Sequence, residues 1–180
     1  MPKKNSLADP EQLKTFDKKN NLLQVIIETP RLSRNKFAFD PEQQIFALKK
    51  VLPAGMSFPY DFGFLPSTRA EDGDPIDVLV LMDEPASPGV LVPSRLIGVI
   101  TGEQMDGDKP VRNDRLVAVA EANRQYANIK SLGDLPKQFL KEVQFFFVNY
   151  HNLEGKKYKL LGCKGIAAAQ TLIKKAQKAA

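Results

Sequence analysis

The segment Asp72-Gly73-Asp74-Pro75-Ile76-Asp77 runs straight into Val78-Leu79-Val80-Leu81, so three carboxylates occupy one short turn at the mouth of a buried apolar strand. Like charges this close repel, and one acid must take up a proton unless cations sit among them. Hard divalent ions with oxygen ligands, magnesium above all, are the natural remedy. Gly73 permits the turn, and Pro75 fixes its own backbone and bends the chain. Without that bend Asp77 would point away from Asp72 and Asp74, because side chains alternate along an extended segment. Taken alone, the same residues also fit a solvated turn that merely separates two strands, since Asp, Gly and Pro are ordinary turn formers.

The surrounding 180 residues suit one domain, 1–180, with a sizeable core, and contain no repeat, low-complexity stretch or linker. Residues 1–20 read as an N-terminal extension, with Ser6 to Phe16 as a short amphipathic helix contacting the rest through Leu7, Leu13 and Phe16. Short strands are expected near 22–28, 36–40, 44–51, 77–82, 89–92, 95–101, 116–121 and 158–161. Pro, Gly and charged residues separate them, at the spacing of a closed or nearly closed β-barrel. Phe139, Val143, Phe146 and Tyr150 recur at helical spacing, which predicts a helix from Asp134 as N-cap to about Asn149. A second, Ala-rich helix is expected over 165–178, packing through Ile166, Leu172 and Ile173.

A single cysteine, Cys163, excludes an internal disulfide and favours a reducing compartment, where it reads as a small core residue. The start lacks an apolar leader and no run approaches membrane-spanning length, so a cytoplasmic protein with no membrane partner is expected. Much of the formal net charge of +5 comes from Lys3, Lys4, Lys174, Lys175 and Lys178, which read as solvated tails and faces. No stripe of basic and aromatic residues appears, so a nucleic-acid partner is not expected. His151, the sole histidine, falls at a helix end where positive charge is favourable without any catalytic role.

Asp-Gly-Asp-Pro-Ile-Asp followed by Val-Leu-Val resembles the signature of the soluble family I inorganic pyrophosphatases. Val25-Ile26-Ile27-Glu28-Thr29-Pro30 resembles that family's early strand with its active-site glutamate, and Asn35-Lys36-Phe37-Ala38-Phe39-Asp40 its lysine strand. The aromatic loop from Pro53 to Phe64, the Leu116-Val117-Ala118-Val119 strand and the helix ending Phe146-Phe147-Val148-Asn149-Tyr150 continue the match from about Leu22 to the end. The resemblance implies a five-stranded OB-like β-barrel, mainly β within an α+β class, with additional short strands and two α-helices. It also implies a homo-oligomer, with a hexamer favoured.

The implied reaction is hydrolysis of pyrophosphate to two phosphates, assisted by several Mg2+ ions per site, with Mn2+ or Zn2+ as substitutes. Such ions neutralise the substrate, hold it in line and make hydroxide available near neutral pH. By resemblance Asp74 accepts the proton of the attacking water, Asp72 and Asp77 bind metal, and Glu28 supports the site. Lys36, Lys50, Arg115 and Tyr150 bind phosphate. On their residue types alone, Lys36 and Lys50 also fit exposed lysines, Tyr150 a core residue with a satisfied hydroxyl, and Arg115 a partner of Asp114.

Several positions depart from the family pattern. Ala38 replaces an acid, Lys50 an arginine with its planar fork, Phe58 and Phe62 two tyrosines, and His151 a lysine. In the second acidic loop, strict spacing puts Asn113 at a ligand position, while the longer Thr101–Arg115 segment offers Glu103, Asp106 or Asp114. Glu103 and Asp114 are the preferred ligands there. An altered shell of this kind also fits a slow hydrolase or one acting on another phosphoanhydride, or a barrel that only binds phosphate or nucleic acid.

Overall fold

The computed structural model describes residues 9–180. Over these residues nine strands and two α-helices follow one another: β1 Leu23–Thr29, β2 Asn35–Asp40, β3 Ile45–Val51, β4 Asp61–Leu65, β5 Ile76–Leu81, β6 Leu91–Asp106, β7 Lys109–Arg112, β8 Arg115–Ala120, α1 Lys137–Asn152, β9 Tyr158–Lys164 and α2 Ile166–Ala179. Five strands close a ring in the order β1, β4, β5, β8, β6, because β6 also pairs with β1. Among the described strands only the β5–β8 pairing is parallel. β7 and β9 extend the sheet along β6, and β2–β3 form a separate hairpin.

The continuous apolar run of β5 follows from burial on both faces. Leu79 and Leu81 join Val117, Val119 and Phe58 under Phe139, Val143, Phe146 and Phe147 of α1. Val78 and Val80 face the other way, with Leu116 and Ala118, toward Ala169, Ile173 and Ala176 of α2. The Val, Leu, Ile and Phe side chains buried this completely each contribute about 1.5–3 kcal/mol of transfer free energy, and the alanines less, so packing on the sheet adds to helix propensity in fixing both helices.

Several expectations are corrected. Ser6–Ala8 lie outside the described residues, and over the remainder of the expected N-terminal helix there is only a 3-10 turn at Pro10–Gln12. Asp134 is not the N-cap of α1, which starts after Pro136. Its carboxylate instead accepts from the Ser131 amide at 2.8 Å and the Lys130 amide at 2.9 Å, closing a separate 3-10 turn. The strands expected at 89–92 and 95–101 are one, β6, and it runs on through Glu103 into a hairpin with β7. β4 lies in the segment read as an aromatic loop, where Gly63 is required: a Cβ there would meet the Ile26 carbonyl oxygen at 2.1 Å. Cys163 is exposed on β9 rather than buried. Among the described residues no helix is long and apolar enough to cross a membrane.

Candidate active site

Strand parity decides what the signature does. Leu79 and Leu81 point to the α1 side, so Asp77, two residues earlier, points there too, at the open end of the sheet. The parallel register sets Arg115 of β8 opposite Asp77 of β5. Their side chains pair with Arg115 Nε 3.6 Å from Asp77 Oδ2. Arg115 is 3 % exposed. Its guanidinium lies 3.8 Å from the Phe147 ring centroid and donates through Nη1 to the Tyr158 hydroxyl at 3.0 Å. Stacking and hydrogen bonding of this kind fix a guanidinium in one orientation.

Above this pair opens a cleft of about 200 Å³. One wall carries Asp72, Asp74 and Asp77. Lys36 of β2, Arg115, Lys156 and Tyr150 line the same cleft, with Phe58 and Phe62. Lys50 of β3 stands across from Lys36 in the hairpin register, and its ammonium lies 3.9 Å from the Tyr150 ring centroid. A second cavity of about 300 Å³ continues from the first past Asp74 and Asp77 to Glu28, Glu11 and Ala38. Glu28 reaches it from a bulge, since Ile27 and Thr29 pair with the adjacent residues Gly63 and Phe62.

The electrostatics follow from crowding and burial. Burial, followed by the charges of Asp72 and Asp74, raises Asp77 to about 6 against the pull of Arg115 and Lys36. Burial raises Glu28 to about 7, although the Phe39 amide donates to it at 2.9 Å. Asp72 is raised as well, by burial first and Asp74 next. Burial opposes the charged form of Lys36, but its surroundings, including Tyr150, Asp77 and Glu28, outweigh this and hold its pKa up. Burial and the like charges of Lys36 and Lys156 pull Lys50 down to about 8, even with Glu154 alongside.

Glu28 and Asp77 give a pH prediction with a definite sign. The folded state favours their protonated forms, while the unfolded chain releases those protons near the ordinary carboxylate values. Between about pH 4.5 and 7 the folded protein therefore holds more protons, and their contribution to stability falls as pH rises. Urea midpoints of metal-free protein should show a downward slope across this window that Glu28→Gln reduces; an unchanged slope would mean that Glu28 titrates normally.

Not every candidate residue reaches the cleft. Glu103 does not line it: its neighbour Gln104 does, and alternation along β6 sends Glu103 to the other face. Asp114 is likewise turned away, between the inward-facing Asn113 and Arg115. Its carboxylate accepts from Arg112 Nη2 at 2.6 Å and from the Gly102 amide at 3.0 Å. Asn113 thus holds the inward position, with its amide nitrogen donating to Gln104 at 2.8 Å. His151 also lines the cleft, but as a buried neutral ring rather than a helix-end cation. Burial lowers it to about 4, and its Nδ1 lies 2.7 Å from the Phe147 carbonyl oxygen, which can only accept.

Gln104, Tyr158, Glu154 and Lys156 were not picked out from the sequence. Glu154 lines the cleft and forms an ion pair with Lys50, whose ammonium sits against the Tyr150 ring without lining the cleft itself, so Glu154 competes with any anion for that ammonium. Both partners are partly exposed, and such pairs contribute about 0.2–1 kcal/mol. Glu154→Gln should lower the KM for an anionic substrate about two- to fivefold; a raised KM would show that Glu154 positions Lys50 rather than competing for it.

The buried atoms left without partners indicate what fits. Tyr150 Oη and Arg115 Nε have no hydrogen-bond partner, although Tyr150 is only 6 % exposed. Both residues line the cleft; the Tyr150 hydroxyl is placed to donate to an anion, whereas Arg115 Nε is already directed at Asp77 Oδ2. Among the described residues no three carboxylate, imidazole or thiol groups form a ready chelate. The acidic wall therefore suits an ion that takes one or two carboxylates and completes its shell with water and substrate phosphate, as magnesium does.

A closed five-stranded ring with such a cleft at the open end of β5 and β8 defines a class of phosphate-handling barrel, and comparison with known proteins places it. Residues 25–180 match the inorganic pyrophosphatase family. The inorganic pyrophosphatase of Synechocystis sp. is 39 % identical over 160 residues, covering 89 % of this chain and 92 % of its own. The crystal structure of inorganic pyrophosphatase from Thermus thermophilus superposes with a TM-score of 0.87 at 34 % identity, covering 96 % of this chain and 98 % of that one. The structure of an inorganic pyrophosphatase from Neisseria gonorrhoeae gives 0.85 at 30 % identity, with 96 % and 98 % covered. The chain belongs to the inorganic pyrophosphatase family, hydrolases acting on phosphoanhydride bonds that are metal-dependent in general.

Proposed function

We propose that the cleft hydrolyses inorganic pyrophosphate to two phosphates, with Asp74 taking the proton of the attacking water. The observation that carries this reading is that the acids Asp72, Asp74 and Asp77 line one narrow cleft together with Lys36, Arg115 and Tyr150. Magnesium, with manganese or zinc as substitutes, would be held by Asp72 and Asp77 and would supply charge neutralisation and a lowered water pKa. Arg115, already oriented by Phe147 and Tyr158, and Lys36 bind the phosphate oxygens, and the Tyr150 hydroxyl donates to them. Lys50 takes the phosphate that leaves once Glu154 gives way. Stabilising that developing negative charge with preorganised donors is where most of the barrier reduction arises. Glu28 supports the wall through the adjoining cavity.

A second reading, a slower or altered phosphoanhydride hydrolase, is favoured by the neutral Asn113 and His151 in the cleft lining. Comparing kcat/KM for pyrophosphate, tripolyphosphate and a nucleoside triphosphate separates the two. A clear preference for pyrophosphate supports the first, and a preference for a longer chain supports the second. Ala38 lines the adjoining cavity with Glu28, Asp74 and Asp77. Ala38→Glu should therefore shift the magnesium concentration needed for half-maximal activity with little change in unfolding midpoint. An unaltered metal dependence would place residue 38 outside the ion's reach.

The protein acts, on this reading, as one cytoplasmic domain within a homo-oligomer, a hexamer being favoured. Phe145 and Leu153, 72 % and 57 % exposed beside Met56, supply apolar surface for such contacts.

A further inference from the structure

On the opposite side of the strands that carry the cleft, a cavity of about 370 Å³ lies between the C-terminal half of α2, the loop before β5, and the β7–β8 turn. This volume falls at the small end of ligand pockets, roughly 300–1,000 Å³. Its apolar lining comes from Ile76, Leu172, Ala176 and Ala179. Three cations reach it, Arg69, Arg112 and Lys175, against two carboxylates, so the lining carries an excess positive charge.

The state of those cations is informative. Lys175 meets Glu71 at 2.8 Å, but the side chains are 71 % and 48 % exposed. An exposed pair of this kind contributes little and exchanges readily for another anion. Arg69 has no ion-pair partner among the described residues. Arg112 is committed to Asp114, at 2.6 and 2.9 Å from its two carboxylate oxygens, which leaves an apolar lining with one unpaired cation and one weakly held, complementary to a molecule with an apolar body and an anionic end.

Strand alternation gives the position meaning. Ile76 faces this cavity while Asp77 faces the cleft, and Asp114 faces it while Asn113 and Arg115 face the cleft. The loop bearing Asp72 and Asp74 is also fastened to α2 here, by the Arg69 amide donating to the Ala176 carbonyl at 3.0 Å and by the Glu71–Lys175 pair. We infer that this cavity is a second binding site, for a small amphipathic anion whose apolar part lies on Leu172, Ala176 and Ala179 and whose carboxylate, sulfonate or phosphate faces Arg69 and Lys175. The site does not depend on the catalytic reading, and its occupancy is read directly by binding.

The test is calorimetric titration of the full-length protein with 8-anilinonaphthalene-1-sulfonate, with inorganic sulfate as the comparison. One saturable site is expected, with sulfate binding at least about tenfold more weakly, a difference of about 1.4 kcal/mol. Ala179→Trp places an indole across the mouth from an exposed terminal position that leaves the core untouched, and Arg69→Glu reverses the unpaired charge. Each should weaken the probe fivefold or more. Absence of saturable binding, affinity unchanged in both variants, or equal affinity for sulfate would overturn the proposal.

Discussion

Asp74→Asn should lower kcat for pyrophosphate by about 10²–10⁴-fold, the range lost when a positioned general base is removed. The amide keeps the shape of the carboxylate but cannot take a proton from water. Asp74 is exposed and its backbone does the local structural work, its carbonyl accepting from the Ala70 amide at 2.7 Å. The fold should therefore be unaffected, with a stability change within about 0.5 kcal/mol. Steady-state kinetics beside thermal unfolding checks both halves. A variant that retains near-normal kcat would remove Asp74 from the chemistry, and one that fails to fold would show that the side chain is structural.

Arg115→Ala should damage both folding and turnover. The guanidinium is almost wholly buried, pairs with Asp77, donates to Tyr158 and to the Asn113 carbonyl at 3.3 Å, and lies on Phe147. Removing one partner of a buried ion pair costs about 3–5 kcal/mol because the other charge is stranded. Asp77 keeps some contact with solvent, 27 % of its side chain, so the lower end is expected. The deficit should shrink as pH falls. Asp77 already stands at about 6, and loss of the arginine removes a cause that lowers it, so the carboxyl becomes neutral more readily and the unpaired charge disappears. Urea denaturation at pH 8 and pH 5.5 measures this. Combining Arg115→Ala with Asp77→Asn should recover much of the stability at pH 8 and none of the activity. Equal deficits at both pH values would mean that lost packing, not the stranded charge, dominates.

The acidic signature was legible because its parts act locally. Gly73, at φ +93°, makes the turn, Pro75 follows, and the double-sided burial of Val78 to Leu81 shows in the sequence as an unbroken apolar run. The closed ring was legible from strand spacing together with the family resemblance. Parity further from the signature was not. Glu103 and Asp114 have the chemistry of metal ligands, but β6 turns Glu103 away and presents Gln104, and Asp114 turns to Arg112 and leaves Asn113 inward. Strict spacing points to Asn113, but residue chemistry favours the carboxylates, and the phase of β6 cannot be set while its full length is unrecognised. β6 was divided in two because Pro93 and Ser94 look like a boundary, yet Ser94 pairs with both Leu23 and Ala120. β4 was hidden because an Asp61-Phe62-Gly63-Phe64 pattern looks like a loop, whereas Gly63 is there to let two backbones approach. Tyr158 and Glu154 reach the site from beyond α1, through contacts that only the folded chain creates.

The central claim is tested most directly by phosphate release from pyrophosphate by the purified full-length protein, with magnesium and with a chelator in its place. Rapid release that requires magnesium, with two phosphates formed per pyrophosphate consumed, is the expected result. Pyrophosphate that binds but is not cleaved at any magnesium concentration would contradict it, leaving a barrel that holds phosphate without hydrolysing it.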